Sequence, residues 1–185
     1  LPRIVRMDIH QMQVKYEPTA DRLLWQVRTR GGEIYAVWLT RRMVSRLWPP
    51  FQQLVTRGAV AQVARPDAVV LPEAREMLAQ AARERPLPTA DFKTRFDPTP
   101  TAQPLGAEPL LPVAIDLGPG AGGKGLAIRL REAGGRSVEL KLGDDLSTAL
   151  LRLVEKAVAA SDWGLPVGAA PEAEAALPVP RSTLN

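Results

Sequence analysis

Set against itself at an offset of 103 residues, the sequence aligns Arg22–Leu54 (RLLWQVRTRGGEIYAVWLTRRMVSRLWPPFQQL) with Gly125–Ala157 (GLAIRLREAGGRSVELKLGDDLSTALLRLVEKA) without a gap. Leu23, Arg28, Gly31, Gly32, Leu39 and Leu47 fall on Leu126, Arg131, Gly134, Gly135, Leu142 and Leu150. The identities weigh little by themselves; the agreement in hydrophobic parity gives them force. In each segment apolar residues alternate at period two on both sides of a Gly-Gly pair and then pass to helical spacing. A strand-period pattern does not settle as a helix, nor the reverse, so both segments are constrained to strand, strand, helix.

The register of each hairpin follows from burial. A two-residue Gly-Gly turn would put Leu130 on the face of Glu139 and split the apolar set. A three-residue loop, Ala133-Gly134-Gly135, puts Leu130 opposite Val138 and Ile128 opposite Leu140. The last loop residue then needs a positive φ, which glycine adopts without steric cost. Arg30-Gly31-Gly32 predicts the same register in the first segment.

A further strand is expected before each hairpin, since Met12 and Val14 align with Ile115 and Leu117. The run Ile4–Tyr16 is long enough for one strand, and its apolar parity slips between Ile9 and Met12 as at a bulge. In the second segment Leu146, Leu150, Val154 and Ala157, joined by Leu151 and Val158, form a helical stripe. Met43, Leu47, Phe51 and Leu54 occupy the same places in the first, where Pro49-Pro50 predicts a break or kink after Leu47 and a short continuation to Val55.

The expected fold is therefore α+β: two tandem β-β-β-α units with antiparallel sheets. Units of about fifty residues are marginal alone, which favours packing as an intrachain pseudo-dimer. Leu71–Arg85 reads as an inter-repeat helix with Pro72 in its first turn, and the proline-rich stretch after it as an extended connector that Phe92 and Phe96 can anchor. The boundaries drawn are 1–58 for the first repeat, 59–109 for the inter-repeat helix and connector, 110–163 for the second repeat, and 164–185 for a flexible Pro/Ala-rich tail.

Composition narrows the function. The 185 residues contain no Cys and a single His, which removes thiolate nucleophiles, thiolate metal sites and any two-His metal site. No run approaches the roughly eighteen apolar residues of a membrane span, and Leu1–Arg6 lacks the apolar run of a leader peptide; no membrane partner and a cytoplasmic location are expected. The net charge of +4 is unevenly placed, with +7 in residues 1–66 and a slight acidic excess after them.

Three local motifs invite chemistry and fall to simpler readings. Gly118-Pro119-Gly120-Ala121-Gly122-Gly123-Lys124 matches the Gly-x-x-x-x-Gly-Lys part of a phosphate loop. Gly125, however, stands where the metal-binding hydroxyl belongs, and Leu126–Leu130 alternates like a strand where a helix is needed. A turn between strands is expected. His10 lies on the opposite strand parity from Ile9, with no nucleophile or paired carboxylate placed near it. Asp144-Asp145, at a helix start, suits the helix dipole and the free N–H groups there. No enzyme activity and no cofactor are expected.

The informative contrast is between the copies. Where the second has Gly143-Asp144-Asp145, the first has Thr40-Arg41-Arg42. Thr40 is a reasonable N-cap, but cations in a first helical turn oppose the dipole by about 0.3–1 kcal/mol each. With Arg46 one turn later and Arg28 and Arg30 at or near the preceding turn, Arg28, Arg30, Thr40, Arg41, Arg42 and Arg46 are the expected anion-binding residues; a solvated basic face paired with carboxylates elsewhere is the alternative. The outward sheet faces differ too. The second reads Ala127, Arg129, Arg131, Ser137, Glu139 and Lys141. The first reads Leu24, Gln26, Arg28, Ile34, Ala36 and Trp38, in which Leu24, Ile34 and Trp38 form an apolar patch. Either the inter-repeat helix or connector covers that patch, or it receives a partner.

A single-chain pair of strand-rich, helix-terminated repeats resembles in general layout the PUR-type and Whirly-type single-strand nucleic-acid binders, whose repeats use more strands. The expected function is non-catalytic binding of an anionic partner, nucleic acid or an acidic protein surface, through the arginine-rich face. The alternative is an assembly subunit or adaptor that uses Leu24, Ile34 and Trp38, in a homo-oligomer or a larger complex.

Overall fold

A computed structural model describes residues 3–4, 8–63, 69, 71–84, 86–87 and 94–167. The fold is α+β, built on two three-stranded antiparallel sheets. The chain opens on a two-residue strand, β1 (Arg3–Ile4), followed by β2 (Ile9–Glu17), β3 (Arg22–Thr29) and β4 (Ile34–Thr40), which form one sheet in the order β2-β3-β4. Helix α1 (Arg41–Val63) leaves β4 directly, and α2 (Pro72–Glu84) follows. After the connector come β5 (Ala114–Pro119), β6 (Leu126–Arg131) and β7 (Ser137–Leu142), then α3 (Asp144–Ala159). The second sheet runs β5-β6-β7, with β1 added in parallel on the free side of β7.

Hairpin registers follow the apolar parity. Val27 faces Tyr35 and Trp25 faces Val37; Leu130 faces Val138 and Ile128 faces Leu140. Both loops close with a glycine at positive φ, 82° at Gly32 and 90° at Gly135, as a three-residue hairpin loop requires. In β2 and β5, Met12 and Val14 pair with Val27 and Trp25, and Ile115 and Leu117 pair with Leu130 and Ile128. The expected parity slip is a register shift between Ile9 and Gln11.

The structure corrects the sequence reading in three places. Ile4–Tyr16 is not one strand, because Arg3–Ile4 pairs with β7 of the other sheet. Helix α1 does not stop near Val55 but runs to Val63 through Pro49 and Pro50. The two prolines leave the carbonyls of Ser45 and Arg46 without their helical donors, yet all four residues are exposed, so the loss falls on the solvent side of the helix. Finally, the α1 stripe is shifted by one residue: Val44, Trp48, Phe51, Val55 and Ala59 are buried, whereas Met43, Leu47 and Leu54 are only partly so. In α3 the expected Leu150, Leu151, Val154, Ala157 and Val158 are buried.

A single core joins the two sheets, with Trp25, Val27 and Val37 in one cluster with Ile128, Leu130, Leu140 and residues of both long helices. Helix α3 packs against β2 of the other sheet, α1 against β5, and the two helices touch. Helix α2 rests on α1 with Leu78 and Ala79 half-buried and Met77 exposed. No helix of the described residues is long and apolar enough to cross a membrane.

The proline-rich connector is an edge strip. Its residues run parallel to β4 through bridges Glu33–Ala102 and Val37–Leu110, and the Trp38 N–H donates to the Leu110 carbonyl at 2.8 Å while Leu110 donates back to Ala36 at 2.9 Å. Those bonds satisfy an edge that would otherwise be open. An arginine near each hairpin pins the strip. Arg28 pairs with Asp97 at 3.3 Å and donates to the Thr99 carbonyl. Arg136 donates to the carbonyls of Leu105 (2.6 Å) and Glu108 (2.9 Å) while gripping Glu132 through two nitrogens. Prolines donate no backbone hydrogen bond but keep their carbonyls, so guanidinium donors suit a proline-rich strip. Phe96 is half-buried beside it; Phe92 and residues 168–185 of the proposed tail lie outside the described residues.

Gly125 offers the sharpest test of this architecture. It sits at φ +68°, and a Cβ there would lie 2.0 Å from the Leu142 carbonyl oxygen, whereas a Cβ on Gly118 meets nothing within 4 Å. Gly125→Ala is expected to destabilise by about 2 kcal/mol or more and Gly118→Ala to stay within about 0.5 kcal/mol, read from urea unfolding midpoints.

Candidate functional site

The site begins where β4 turns directly into α1. Thr40 caps the helix, its Oγ1 accepting the Met43 N–H at 3.3 Å, the N-cap to N3 geometry that satisfies one of the first free donors. Arg41 and Arg42 follow in a first turn that holds no acidic residue, and Arg46 stands one turn later; all three are exposed. None of the three makes an ion pair among the described residues. By contrast α3 begins with Asp144 and Asp145.

Strand register adds a fourth cation. Arg22 lies directly opposite Thr40 across the β3–β4 ladder, so the two side chains share a face with their Cα atoms about 5 Å apart. Sequence reading overlooked Arg22, although the register set by the three-residue loop Arg30-Gly31-Gly32 places it opposite Thr40.

The nearby counter-charge is Asp21, in the β2–β3 turn at φ +48°. Its Oδ1 accepts the Trp163 indole N–H at 2.6 Å and the Tyr16 hydroxyl at 2.9 Å. The two rings meet edge to face at 5.8 Å, so the segment after α3 is fastened onto the turn of the first sheet. The Trp163 hydrogen bond, then that of Tyr16, and then the charge of Arg41 hold the Asp21 carboxyl below its ordinary value. Accepting that bond also makes Asp21 raise the Tyr16 hydroxyl.

Arg28 and Arg30 do not join this group. Arg28 is opposite Ile34, at the far end of the ladder from Thr40. Six residues of strand, about 20 Å, separate the two ends. Arg28 is committed to Asp97 and Thr99, and Arg30 pairs with Asp8 at 3.0 Å. Their role is to hold the connector and the start of β2. The candidate cluster is therefore Arg22, Arg41, Arg42 and Arg46.

The outward face of the first sheet is divided. Ile34, 3% exposed, is not available to a partner: its N–H donates to the Ala102 carbonyl at 3.0 Å and the connector covers that end. Leu24 and Trp38 face each other across the ladder and stay half-buried. They lie one pair along their face from Arg22 and Thr40. The matching face of the second sheet is charged and self-paired, with Arg129–Glu139 at 2.9 Å and Arg131–Asp116 at 3.1 Å.

The remaining motifs have structural roles. Gly118–Lys124 spans the end of β5 and a turn into β6, where Gly120, Gly123 and Lys124 donate to backbone carbonyls of the same loop. Asp144 does not cap its own helix: its carboxylate accepts the Gly125 N–H at 2.7 Å and the Gln62 side-chain amide of α1, tying three elements together. His10 is exposed. Among the described residues no group of three His, Cys, Asp or Glu side chains could hold a metal ion.

Comparison with family models, curated proteins and solved structures returns no match.

The Asp21 latch predicts a pH signature. A carboxyl held below its usual 3.8 in the folded chain stabilises the fold above that value and loses the contribution as pH falls through its folded value. Asp21→Asn is expected to lower the urea midpoint at neutral pH, with wild type and variant converging as pH falls through the lowered Asp21 value.

Proposed function

We propose that this protein is a non-catalytic binder of an anionic partner, most simply nucleic acid, engaged at the start of α1. One observation carries this reading: Arg41, Arg42 and Arg46 are exposed in the first two turns of a helix and make no ion pair among the described residues. Placed against the dipole, they work against local stability, whereas a phosphate at the same place meets guanidinium forks and a helix N-terminus together. Arg22 extends the cationic surface onto the sheet, and half-buried Trp38 beside it supplies a ring for base stacking. An acidic protein surface would use the same charges.

We further read the two halves as diverged copies of one unit, packed as an intrachain pseudo-dimer. The 103-residue offset carries the strand pairings of one sheet onto those of the other, and each long helix packs against the first strand of the other half, which supports that reading. It also explains why one helix start is acidic and the other basic: a duplicated position is free to change once its sibling keeps the structural role.

A second reading, an assembly subunit, rests on the Leu24–Trp38 pair, the part of the outer apolar face that the connector leaves half-exposed. If that pair joins copies of the chain, light scattering finds an oligomer for wild type and a smaller species for Trp38→Ser; equal masses remove self-association through this face.

For the nucleic-acid reading, labelled single-stranded and duplex DNA and RNA are titrated at several salt concentrations. Binding should weaken steeply with salt, and Arg41→Ala/Arg42→Ala should weaken it for all sequences alike and reduce the duplex salt slope by about two. Arg28→Ala, which removes a connector clamp at the far end of β3, should leave that slope unchanged. Absent or salt-insensitive binding overturns the proposal.

A further inference from the structure

A cavity of about 50 Å³ lies on the seam between the halves, walled by β3, β4, α1, β5, β6 and α3. Its wall is carbon throughout, and its half-buried rim includes Leu47, Ile115 and Leu117. A water needs about 10–15 Å³ of such space, so on the order of four water-sized groups fit. With no polar wall to bind it, water gains little there, and cavities of this kind take apolar molecules.

A second observation concerns the indoles. Of the four tryptophans, Trp163 donates to Asp21 and Trp38 is half-buried. The other two, Trp25 and Trp48, are 2% and 6% exposed, and both of their Nε1–H groups are buried without an acceptor among the described residues. Both residues line the cavity. An orphaned buried donor costs about 1–3 kcal/mol, and here two such donors flank one apolar hollow.

We propose that this cavity is a binding site for a small uncharged organic molecule with an apolar body and one carbonyl-type acceptor, received by the Trp48 indole. The nitrogens sit behind the carbon wall, so the ring that takes the ligand must turn its edge inward. Trp48 is the ring placed to do so, because it immediately precedes Pro49-Pro50, where α1 lacks two hydrogen bonds. Trp25 sits mid-ladder in β3 with paired strands on both sides. A charged ligand is disfavoured because among the described residues no ionisable group lines the cavity to compensate its desolvation. This site is independent of the arginine cluster and of the function proposed for it.

The test uses the full chain and two near-isosteric probes, cyclopentanone and cyclopentane. Indole N–H resonances are assigned with Trp48→Phe and Trp25→Phe and followed by nitrogen–proton correlation during each titration. Cyclopentanone should move the Trp48 indole resonance downfield and saturably, and cyclopentane should not. In Trp48→Phe, cyclopentanone affinity should fall three- to tenfold while cyclopentane affinity stays within twofold. If that variant does not fold, Trp25→Phe, Trp38→Phe and Trp163→Phe assign the Trp48 resonance by elimination, and the wild-type titration decides alone. The proposal is overturned if neither probe moves the resonance, if both move it equally, or if cyclopentane binds and cyclopentanone does not.

Discussion

Each long helix covers part of the sheet that the other half built. Helix α3 packs on β2 and α1 on β5, so the inner faces of both sheets close on one shared cluster centred on residues such as Trp25, Val37, Ile128 and Leu140. A three-stranded sheet with one helix, in about fifty residues, is marginal by itself. Packing α3 on β2 and α1 on β5 enlarges the buried surface by joining both sheets in one core. The rest of the molecule depends on this packing, including the path of the connector and the direction in which α1 presents its first turns.

Local order was the part most legible from residues alone. The hairpin registers followed because a one-residue slip would invert every side chain, and because Gly32 and Gly135 stand where a positive φ is needed. The bulge in β2 showed as a parity slip. Features that depend on distant partners were not legible. Arg28 reads as one of a run of arginines until Asp97, 69 residues away, is seen beside it. Ile34 reads as an exposed apolar residue until Ala102 is placed along β4. The persistence of α1 through Pro49-Pro50 depends on which side of the helix faces water, and a stripe one residue out of phase predicted the wrong side.

The candidate site divides the same way. Arg41, Arg42 and Arg46 were found because they break a local rule, standing as cations at a helix start where α3 carries aspartates. Pairing partners within the fold would have dissolved the contrast, as they did for Arg28 and Arg30. For these three no such ion pair forms among the described residues. The carboxylate that feels the charge of Arg41, Asp21, accepts hydrogen bonds from Trp163 and Tyr16.

That arrangement makes the cationic surface a property of the whole chain and not of its first third. Thr40 and the β4 ladder set where α1 starts, but beyond Leu47 the prolines leave two helical bonds unmade, so the continuity of the helix rests on burial of Trp48 and Phe51 against the second half. At the other side of the site, the turn that carries Asp21 is held by Trp163, beyond the end of α3. An isolated first unit would keep its arginines but lose both the core that aligns α1 and the latch that fixes the turn beside Arg41. The charge of this surface is thus encoded locally, whereas its geometry is supplied by the packing of one half against the other.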